Sequence, residues 1–558
     1  MTTPSRLVAR DDFVLPHMIR YRAETSPDRP LVDPVGAPPI SAATFHAGVV
    51  RLANAMKRVS VQVDDCVAAM LEASPQAIEI WMAAAWLRAR EVAINPEYRG
   101  AVLAHTLNDS RARLLITNEG CVDRIIAVAE SLPHLELVVI VDSDSPAITS
   151  FRGAAVISLA EFVSDAGYGE FDGPRNSDAY AVNYTSGTTG PSKGVLRGWA
   201  GLHASLETVF PGDAALDYDD PAVYSPWAMF HSSGKMSALA AFQSGARLVQ
   251  RRRFSLTEFW NDVTTHRCTH VMLFSVAAKL WHSRQPEWQD NPLRRAFVNP
   301  LFPQFAGFQE YFDVRLSTAW GMTEIGLPLS APEPTHWQSC GRPVPGYEIR
   351  LVDEYDREVP PGEAGQLIVR HDRPWNIATE YLGRPEATAK AWQNGWFHTG
   401  DALRQDENGE FYFVDRIKDY IRHRGHNVSS REVEQEVLAH PDVHECACVG
   451  TRPDAGTTGD DQTVLGDEEI LLFVTRRDGA DLGTDDLAAF LETRLPRHMV
   501  PRFIEFVNDM PRTPTMKIRK VELRTRGLSD RTWDRLEASA MSKSDPQHVT
   551  SDEGLARR

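Results

Sequence analysis

Cysteine is scarce in this chain: six residues among 558, at positions 66, 121, 268, 340, 446 and 448. That is too few and too scattered for a disulfide framework. Cys446 and Cys448 have strand spacing and share one face, and no local cluster of further ligands stands near them at metal-site spacing. They are expected to be reduced thiols of a cytoplasmic protein. Long apolar runs are also missing. No stretch of about 18 uninterrupted apolar residues occurs, so no membrane span is expected. The opening Met-Thr-Thr-Pro-Ser-Arg, followed by Asp11-Asp12, lacks the apolar core of a signal peptide. Positive charge is in deficit, with 59 Lys and Arg against 76 Asp and Glu and a net charge of −17. This argues against a nucleic-acid partner, whose affinity rests on basic surface. The run Arg251–Arg253 reads as a solvated edge. With 42% hydrophobic and 24% charged residues over 558 positions, the chain is globular and too long for a single core.

Strand and helix signals alternate along the first half. Residues 14–27 suit an amphipathic helix stopped before Pro27. Ser41 precedes a helical run from Ala42 to Val59, with Phe45, Val49, Leu52 and Met56 on one stripe. Asp65–Leu71 is a short buried-strand candidate, and a small-residue helix over Ile78–Arg88 follows. Apolar runs at 114–117, 137–141 and 155–158 continue the pattern. Alternation of this kind predicts an α/β fold with a largely parallel sheet.

Residues 184–195 read Tyr-Thr-Ser-Gly-Thr-Thr-Gly-Pro-Ser-Lys-Gly-Val. Hydroxyls at Thr185, Ser186, Thr188 and Thr189 alternate with Gly187 and Gly190, and Lys193 lies near the end. Glycine lets successive N–H groups approach one anion, hydroxyls add short donors, and lysine adds a compact positive charge. The pattern fits a phosphate cradle; the same composition also occurs in flexible polar linkers. It is not the usual nucleotide loop, because the Gly187–Lys193 spacing is wrong and Gly194 follows the lysine.

Three further stretches stand out: Thr318-Ala-Trp-Gly-Met-Thr-Glu-Ile325, Gly395-Trp-Phe-His-Thr-Gly-Asp401, and Asp415-Arg-Ile-Lys418 running on to Gly425 and the helix Arg431–His440. With the loop at 184–195 they occur in an order that resembles the adenylate-forming superfamily: acyl-CoA synthetases, luciferases and peptide-synthetase adenylation domains. The resemblance covers residues 14–527. It is nearest to the carnitine/crotonobetaine-type and medium-chain CoA ligases, through the stretches 226–245 and 381–434. It implies a large N-terminal domain of αβαβα-type layers (1–416) and a smaller mobile C-terminal α/β lid (417–527). Residues 528–558 turn polar and are expected to form a disordered tail.

By that resemblance Thr185, Ser186, Gly187, Thr188, Thr189, Gly190 and Lys193 hold phosphate, and Trp320 stacks on adenine where the family usually has tyrosine. Thr323 contacts the α-phosphate and Glu324 binds Mg²⁺, a hard cation suited to carboxylate and phosphate oxygen. Taken alone, Thr323-Glu324 is only a helix N-cap pattern. Asp401 and Arg416 take the ribose; apart from the resemblance, Asp415-Arg416 is a surface ion pair. Lys418 is the hinge, and Gly425 lines the pantetheine tunnel. Lys517 reaches the carboxylate and α-phosphate, although Met516 stands where relatives have glycine. Phe230 and His231 match an aromatic-His segment that lines the acyl pocket; a lone histidine is as often structural. Lys235 pairs with an anionic substrate end or faces solvent from a helix start. Large residues at Phe297–Phe302 replace a Gly-rich strand end and are expected to narrow the pocket.

The implied enzyme is an AMP-forming ligase using ATP and Mg²⁺. It activates a small acid, most simply a carboxylate, as its adenylate and passes it to the thiol of coenzyme A. Two alternatives are weighed. One is an adenylating ligase of secondary metabolism with a carrier-protein or amine acceptor, including an ATP- and nitrite-dependent diazotase acting on an aryl amine, motivated by the bulk at 298–302 and by Trp320. The other is an inactive adenylate-binding protein, motivated by Met516.

Overall fold

The computed structural model describes residues 14–164, 167, 169, 171–185, 192–210, 220–274, 276–423, 426–452, 468–513 and 517–538. The chain divides into two compact units. The first is Met1–Thr399 with Arg404–Phe413, and the second is Gly400–Leu403 with Val414–Arg558.

Two of the long helices in the first unit begin at serine caps. Ser41 accepts the amide of Thr44 at 3.2 Å and opens Ala42–Arg58, whose last turn carries Lys57 and Arg58 against the helix dipole. The next helix starts at Pro75, earlier than its apolar run predicts. Ser74 caps the amide of Ala77, and proline at the first helical position lacks only an N–H that would be unpaired there. From Ile78 to Trp86 nearly every side chain is buried, as expected for a helix covered on all sides.

Two sheets organise this unit. In one, the strands Pro30–Pro34, Arg247–Gln250, Ala222–Ser225, His270–Leu273, Arg295–Val298 and Arg315–Met322 run parallel in that spatial order, and Gly326–Ala331 then adds antiparallel. In the other, Ala179–Thr185, Arg90–Ala93, Cys66–Met70, Leu114–Thr117, Leu137–Ile140 and Ala154–Ser158 are parallel neighbours. One apolar core joins inner residues of both sheets to the helices Ala42–Arg58, Pro75–Trp86, Trp199–Val209 and Ser232–Gln243. A second covers the outer face of the first sheet with Phe259–Thr265, Val276–His282 and Phe305–Phe312. A third covers the outer face of the second sheet with Gly100–Ser110 and Val122–Ile126. The layers therefore run α-β-α-β-α, as the family resemblance implies.

The second unit carries a four-stranded sheet, Val443–Thr451, Glu469–Arg476, Phe503–Phe506 and Trp533–Asp534, with the helices Ser430–Leu438, Thr484–Glu492 and Lys520–Arg526. Its last strand corrects one expectation. Residues 528–538, read as the start of a disordered tail, are ordered, and Ile504 pairs with Trp533. The polar composition has a use there. Glu505 is 1% exposed, and it accepts hydrogen bonds from Ser529 Oγ at 2.9 Å, Thr532 Oγ1 at 3.0 Å and the guanidinium of Arg526. Residues 539–558 lie outside the described set.

Lys235 overturns both of its readings. It is 0% exposed, ion-paired with Glu91 of the strand Arg90–Ala93, and its ammonium lies 4.4 Å from the centre of the Trp81 ring. Burial pushes the lysine down and the carboxyl up, and each partner pulls the other back toward the charged form. Removing one partner leaves a buried charge alone. Lys235→Met is expected to destabilise the first unit by about 3–5 kcal/mol, and the double change Glu91→Leu with Lys235→Met should recover most of that loss. Denaturant midpoints of wild type and both variants check this.

Candidate active site

The signature loop closes an antiparallel hairpin. Ala179–Thr185 and Lys193–Gly198 pair with Thr185 opposite Lys193, Tyr184 opposite Gly194 and Asn183 opposite Val195. Thr185 Oγ1 donates to the Lys193 carbonyl at 3.5 Å across the open end. Ser186, Gly187, Thr188, Thr189 and Gly190, between those strand ends, lie outside the described residues. Neighbouring groups anchor the hairpin. His105 Nε2 bonds the Ser192 carbonyl at 2.8 Å, and the Tyr184 hydroxyl donates at 3.0 Å to Asp109, itself ion-paired with Arg384 at 2.6 Å. Gly194 is required by packing, since a Cβ there would stand 2.6 Å from Val182 Cγ1.

Glu324 comes from another hairpin, in the other sheet. Arg315–Met322 and Gly326–Ala331 pair with Met322 opposite Gly326, so Thr323, Glu324 and Ile325 form the turn. The helix-cap reading of Thr323-Glu324 is thereby corrected: the pair sits between two strands. Thr323 is half-buried, and the Glu324 residue is 5% exposed. Its backbone carbonyl accepts from Ala378 N at 2.6 Å, and its Oε1 accepts from the Tyr381 hydroxyl at 3.0 Å. Tyr381 belongs to the short strand Glu380–Tyr381, which pairs with the signature hairpin through Val195. The Lys193 ammonium lies 4.9 Å from the centre of the Tyr381 ring. Lys193 and Glu324, 131 positions apart in the numbering, thus meet on opposite ends of one tyrosine that the sequence reading passed over. The only sequence signal for it was its place inside the family-like stretch from 381 onward. Burial raises the Tyr381 hydroxyl well above the usual phenol range, and the Glu324 charge adds to the shift. The hydroxyl therefore stays a donor.

Trp320, in the same strand as Met322, is half-buried, and its ring centroid lies 6.4 Å from that of Phe413 at 27°. His231 occupies the N-cap position of Ser232–Gln243 with its ring 4.6 Å from Phe230. Trp227 stacks on Phe254 at 5.9 Å and meets Phe274 edge-on at 5.1 Å. The bulky segment at 297–302 is divided between two cores. Val298, Leu301 and Phe302 are buried in the outer helical core, with Phe302 edge-on to Phe308 at 5.9 Å. Their volume is taken up by that layer, whereas Phe297 is buried in the core shared by the two sheets.

Within the second unit Asp401, Arg416 and Lys517 come together. Arg416 Nε stands 3.4 Å from Asp401 Oδ1, with the carboxylate nearly buried and the arginine 40% exposed. Lys517 is exposed at its surface, yet partial desolvation lowers its pKa, Arg416 lowers it further, and Asp401 opposes both. Lys517 sits beyond a small turn in which Thr513 N donates to the Lys517 carbonyl at 2.7 Å, and residues 514–516, Met516 among them, lie outside the described residues. Asp415 is not the surface partner of the Arg416 side chain. It is 4% exposed and accepts from Ser430 Oγ at 2.7 Å, Arg431 N at 3.1 Å and Ser429 Oγ at 3.2 Å, at the start of Ser430–Leu438. Lys418 is exposed in the turn Ile417–Asp419, and its carbonyl accepts from Arg524 at 3.4 Å. Gly425 lies outside the described residues.

Among the described residues no cluster of three or more His, Cys, Asp or Glu forms a protein metal cage. A nearly buried carboxylate that accepts from a neutral phenol suits a different arrangement. Mg²⁺ commonly arrives on substrate phosphates and takes only one or two protein carboxylates.

The comparisons with known proteins agree with this layout. The family model described as AMP-binding enzyme matches residues 19–382, and the AMP-binding enzyme C-terminal domain matches 432–517. A crotonobetaine/carnitine–CoA ligase of Citrobacter koseri is 30% identical over 513 residues, covering 87% of this chain and 93% of that protein. Its counterpart in Salmonella paratyphi A is 29% identical over 501 residues, with the same coverage. Among solved structures, an anthranilate CoA ligase in complex with anthranoyl-AMP superposes with a TM-score of 0.77 at 22% identity, covering 94% of this chain and 99% of that one. The ATP-bound MatB of Rhodopseudomonas palustris gives 0.75 at 22% identity, covering 92% and 98%. With both family models matched in order and the layered fold shared, the chain belongs to the adenylate-forming, AMP-binding enzyme family and is an AMP-forming ligase that works with ATP and Mg²⁺.

Proposed function

We propose that the protein activates a small carboxylic acid as its acyl-adenylate and transfers the acyl group to the thiol of coenzyme A. The observation that carries the activation half is the meeting of Lys193 and Glu324 on Tyr381 at the open end of the signature hairpin. A cation and a hard carboxylate held on one side chain without pairing suit a polyphosphate and its divalent cation. Support for the acyl half comes from the curated relatives, which are named as CoA ligases. The burial of Val298, Leu301 and Phe302 in the outer core weakens one motive for the nitrite-activating alternative.

On this reading residues 1–416 bind the nucleotide and the acid, and residues 417–527 form the lid. Ser186–Gly190 cradle the phosphates with Thr185 and Lys193, and Glu324 holds Mg²⁺, which supplies charge neutralisation on the phosphates. Trp320 stacks on adenine, Thr323 meets the α-phosphate, and Asp401 with Arg416 holds the ribose. The substrate carboxylate attacks the α-phosphorus, the bond to the bridging oxygen breaks, and pyrophosphate leaves with that electron pair. Lys517 stabilises the charge that builds on the α-phosphoryl oxygens. After movement about Lys418, the thiol of coenzyme A enters past Gly425, the acyl carbon passes to sulfur, and AMP departs. His231 lines the acyl side. The enzyme is placed in the cytoplasm, in keeping with six free thiols.

Pyrophosphate exchange against a panel of carboxylates, aryl amines and nitrite tests the activation half, and coenzyme A-dependent AMP release tests the acceptor. Exchange that responds to nitrite alone, or AMP release indifferent to coenzyme A, would overturn the corresponding half. Lys517→Ala is expected to slow adenylation by about 10²-fold or more while sparing thioester formation from a supplied adenylate. The lowered Lys517 pKa fixes a sign for pH as well. The ammonium form is needed and is lost as pH rises, so adenylation should decline below the free-lysine value of about 10.4. A wild-type alkaline limb that persists in Lys517→Arg would refute that assignment.

A further inference from the structure

Tyr381 has no role in the reading above, yet it touches two of the groups on which that reading rests. Its hydroxyl donates to Glu324 Oε1 at 3.0 Å, and its ring carries the Lys193 ammonium at 4.9 Å. The two contacts use opposite ends of the side chain: the phenol oxygen is a hydrogen-bond donor, and the ring face attracts cations. Its backbone is held by the pairing of Val195 with Tyr381 and of Leu196 with Glu380. Thr388 Oγ1 accepts from the Tyr381 amide at 3.0 Å, which fixes the strand end further.

Lys193 and Glu324 pose a problem for any site that needs both. Opposite charges that contact the same side chain attract, and a direct ion pair between them would use the lysine's donors and the carboxylate's oxygens on each other. Phosphate needs the former and a divalent cation needs the latter. A neutral aromatic group between them resolves this, because it satisfies the cation through its face and the anion through its hydroxyl without neutralising either. We propose that Tyr381 is a positioning residue that keeps Lys193 and Glu324 aligned without their pairing to each other, so that the lysine meets the polyphosphate and the carboxylate meets the divalent cation that accompanies it. This inference rests on the phosphate and metal assignments of the proposed function.

Two substitutions separate the two contacts. Tyr381→Phe keeps the ring and deletes the hydroxyl; Tyr381→Leu deletes both contacts. The readouts are calorimetric ATP affinity with and without divalent cation, Mn²⁺ binding to the enzyme–ATP complex by electron paramagnetic resonance, and pyrophosphate exchange. Tyr381→Phe is expected to weaken Mn²⁺ binding about 3- to 10-fold and leave metal-free ATP affinity within about 2-fold. Tyr381→Leu should in addition weaken metal-free ATP binding by about 3-fold or more. Thermal unfolding of Tyr381→Phe, which preserves ring packing, checks that the fold is intact. The inference is overturned if Tyr381→Phe binds Mn²⁺ as the wild type does, or if the two variants change ATP and metal binding by equal factors. Glu324→Gln and Lys193→Met distinguish the levels of failure. If Glu324→Gln leaves Mn²⁺ binding unchanged and Lys193→Met leaves ATP binding unchanged, the underlying site assignment fails. If those variants respond and Tyr381→Phe does not, only the role of the tyrosine fails.

Discussion

The strand Lys193–Gly198 is held from both sides, by Ala179–Thr185 on one edge and by Glu380–Tyr381 on the other, and the site of the first unit depends on that double pairing. One pairing sets Lys193 opposite Thr185 at the mouth of the signature turn. The other brings in the segment that reaches the second sheet. Along that segment the Asn376 carbonyl accepts from the buried Arg197 guanidinium at 2.9 Å, Ala378 N donates to the Glu324 carbonyl, Thr379 N donates to the Leu196 carbonyl at 3.0 Å, and Tyr381 ends on the Glu324 carboxylate. Residues 376–381 are therefore a strap between two hairpins of different sheets. The Glu324 turn is fixed separately, through the Tyr347 hydroxyl on the Ile325 carbonyl at 2.7 Å.

Charge shows why such a strap matters. A chain with a net charge of −17 has to hold a polyanion, so its positive groups must be placed locally and kept from the abundant carboxylates. Lysines in this protein show both outcomes. Lys235 is fully buried and paired with Glu91, and Lys520 lies 2.8 Å from Glu434 and donates to Ser430 Oγ at 2.6 Å. Those ammonium groups serve the fold. Lys193 instead rests on an aromatic face, a contact worth about 0.5–1 kcal/mol at exposed sites and weak enough to yield to phosphate.

Much of this was legible in the sequence because it is local. The α/β class with a largely parallel sheet follows from alternating strand and helix signals, the αβαβα layering was implied by the family resemblance, and capped starts such as Ser41 are visible in a few residues. The signature hairpin, the Thr323-Glu324 motif and the Asp401–Arg416 pair were found by their resemblance to a family. What escaped depends on contacts between distant positions. Lys235 finds Glu91 only after a helix packs on a strand 144 residues away in sequence. Asp415, next to Arg416, turns instead to the Ser430–Leu438 helix start, since a buried carboxylate gains more from three donors than from a solvated guanidinium. The polar stretch before residue 538 resembled a tail because the buried carboxylate that organises it, Glu505, lies on another strand. Composition reports how polar a segment is and says nothing about whether a partner waits for it.

The grouping of Asp401, Arg416 and Lys517 gives the two-step chemistry a physical marker. All three fall in the second unit, yet Asp401 and Arg416 precede Lys418 in the chain and Lys517 follows it. A rotation about Lys418, as the proposed function has it, would separate the lysine from the other two. Partial desolvation and Arg416 hold the Lys517 pKa down while all three are together. Separation into solvent removes both causes, and the ammonium returns toward the ordinary lysine value. Proton affinity at Lys517 is then linked to the pose: high pH favours the grouped arrangement, where the neutral amine is less disfavoured, and low pH favours the parted one. Under the proposed mechanism adenylation uses the charged lysine in the grouped arrangement, where desolvation and Arg416 disfavour that form. Nucleotide phosphate supplies the missing compensation, because an anion beside Lys517 restores the charged form. In the proposed mechanism the substrate's α-phosphate thus completes the electrostatics of the first half-reaction.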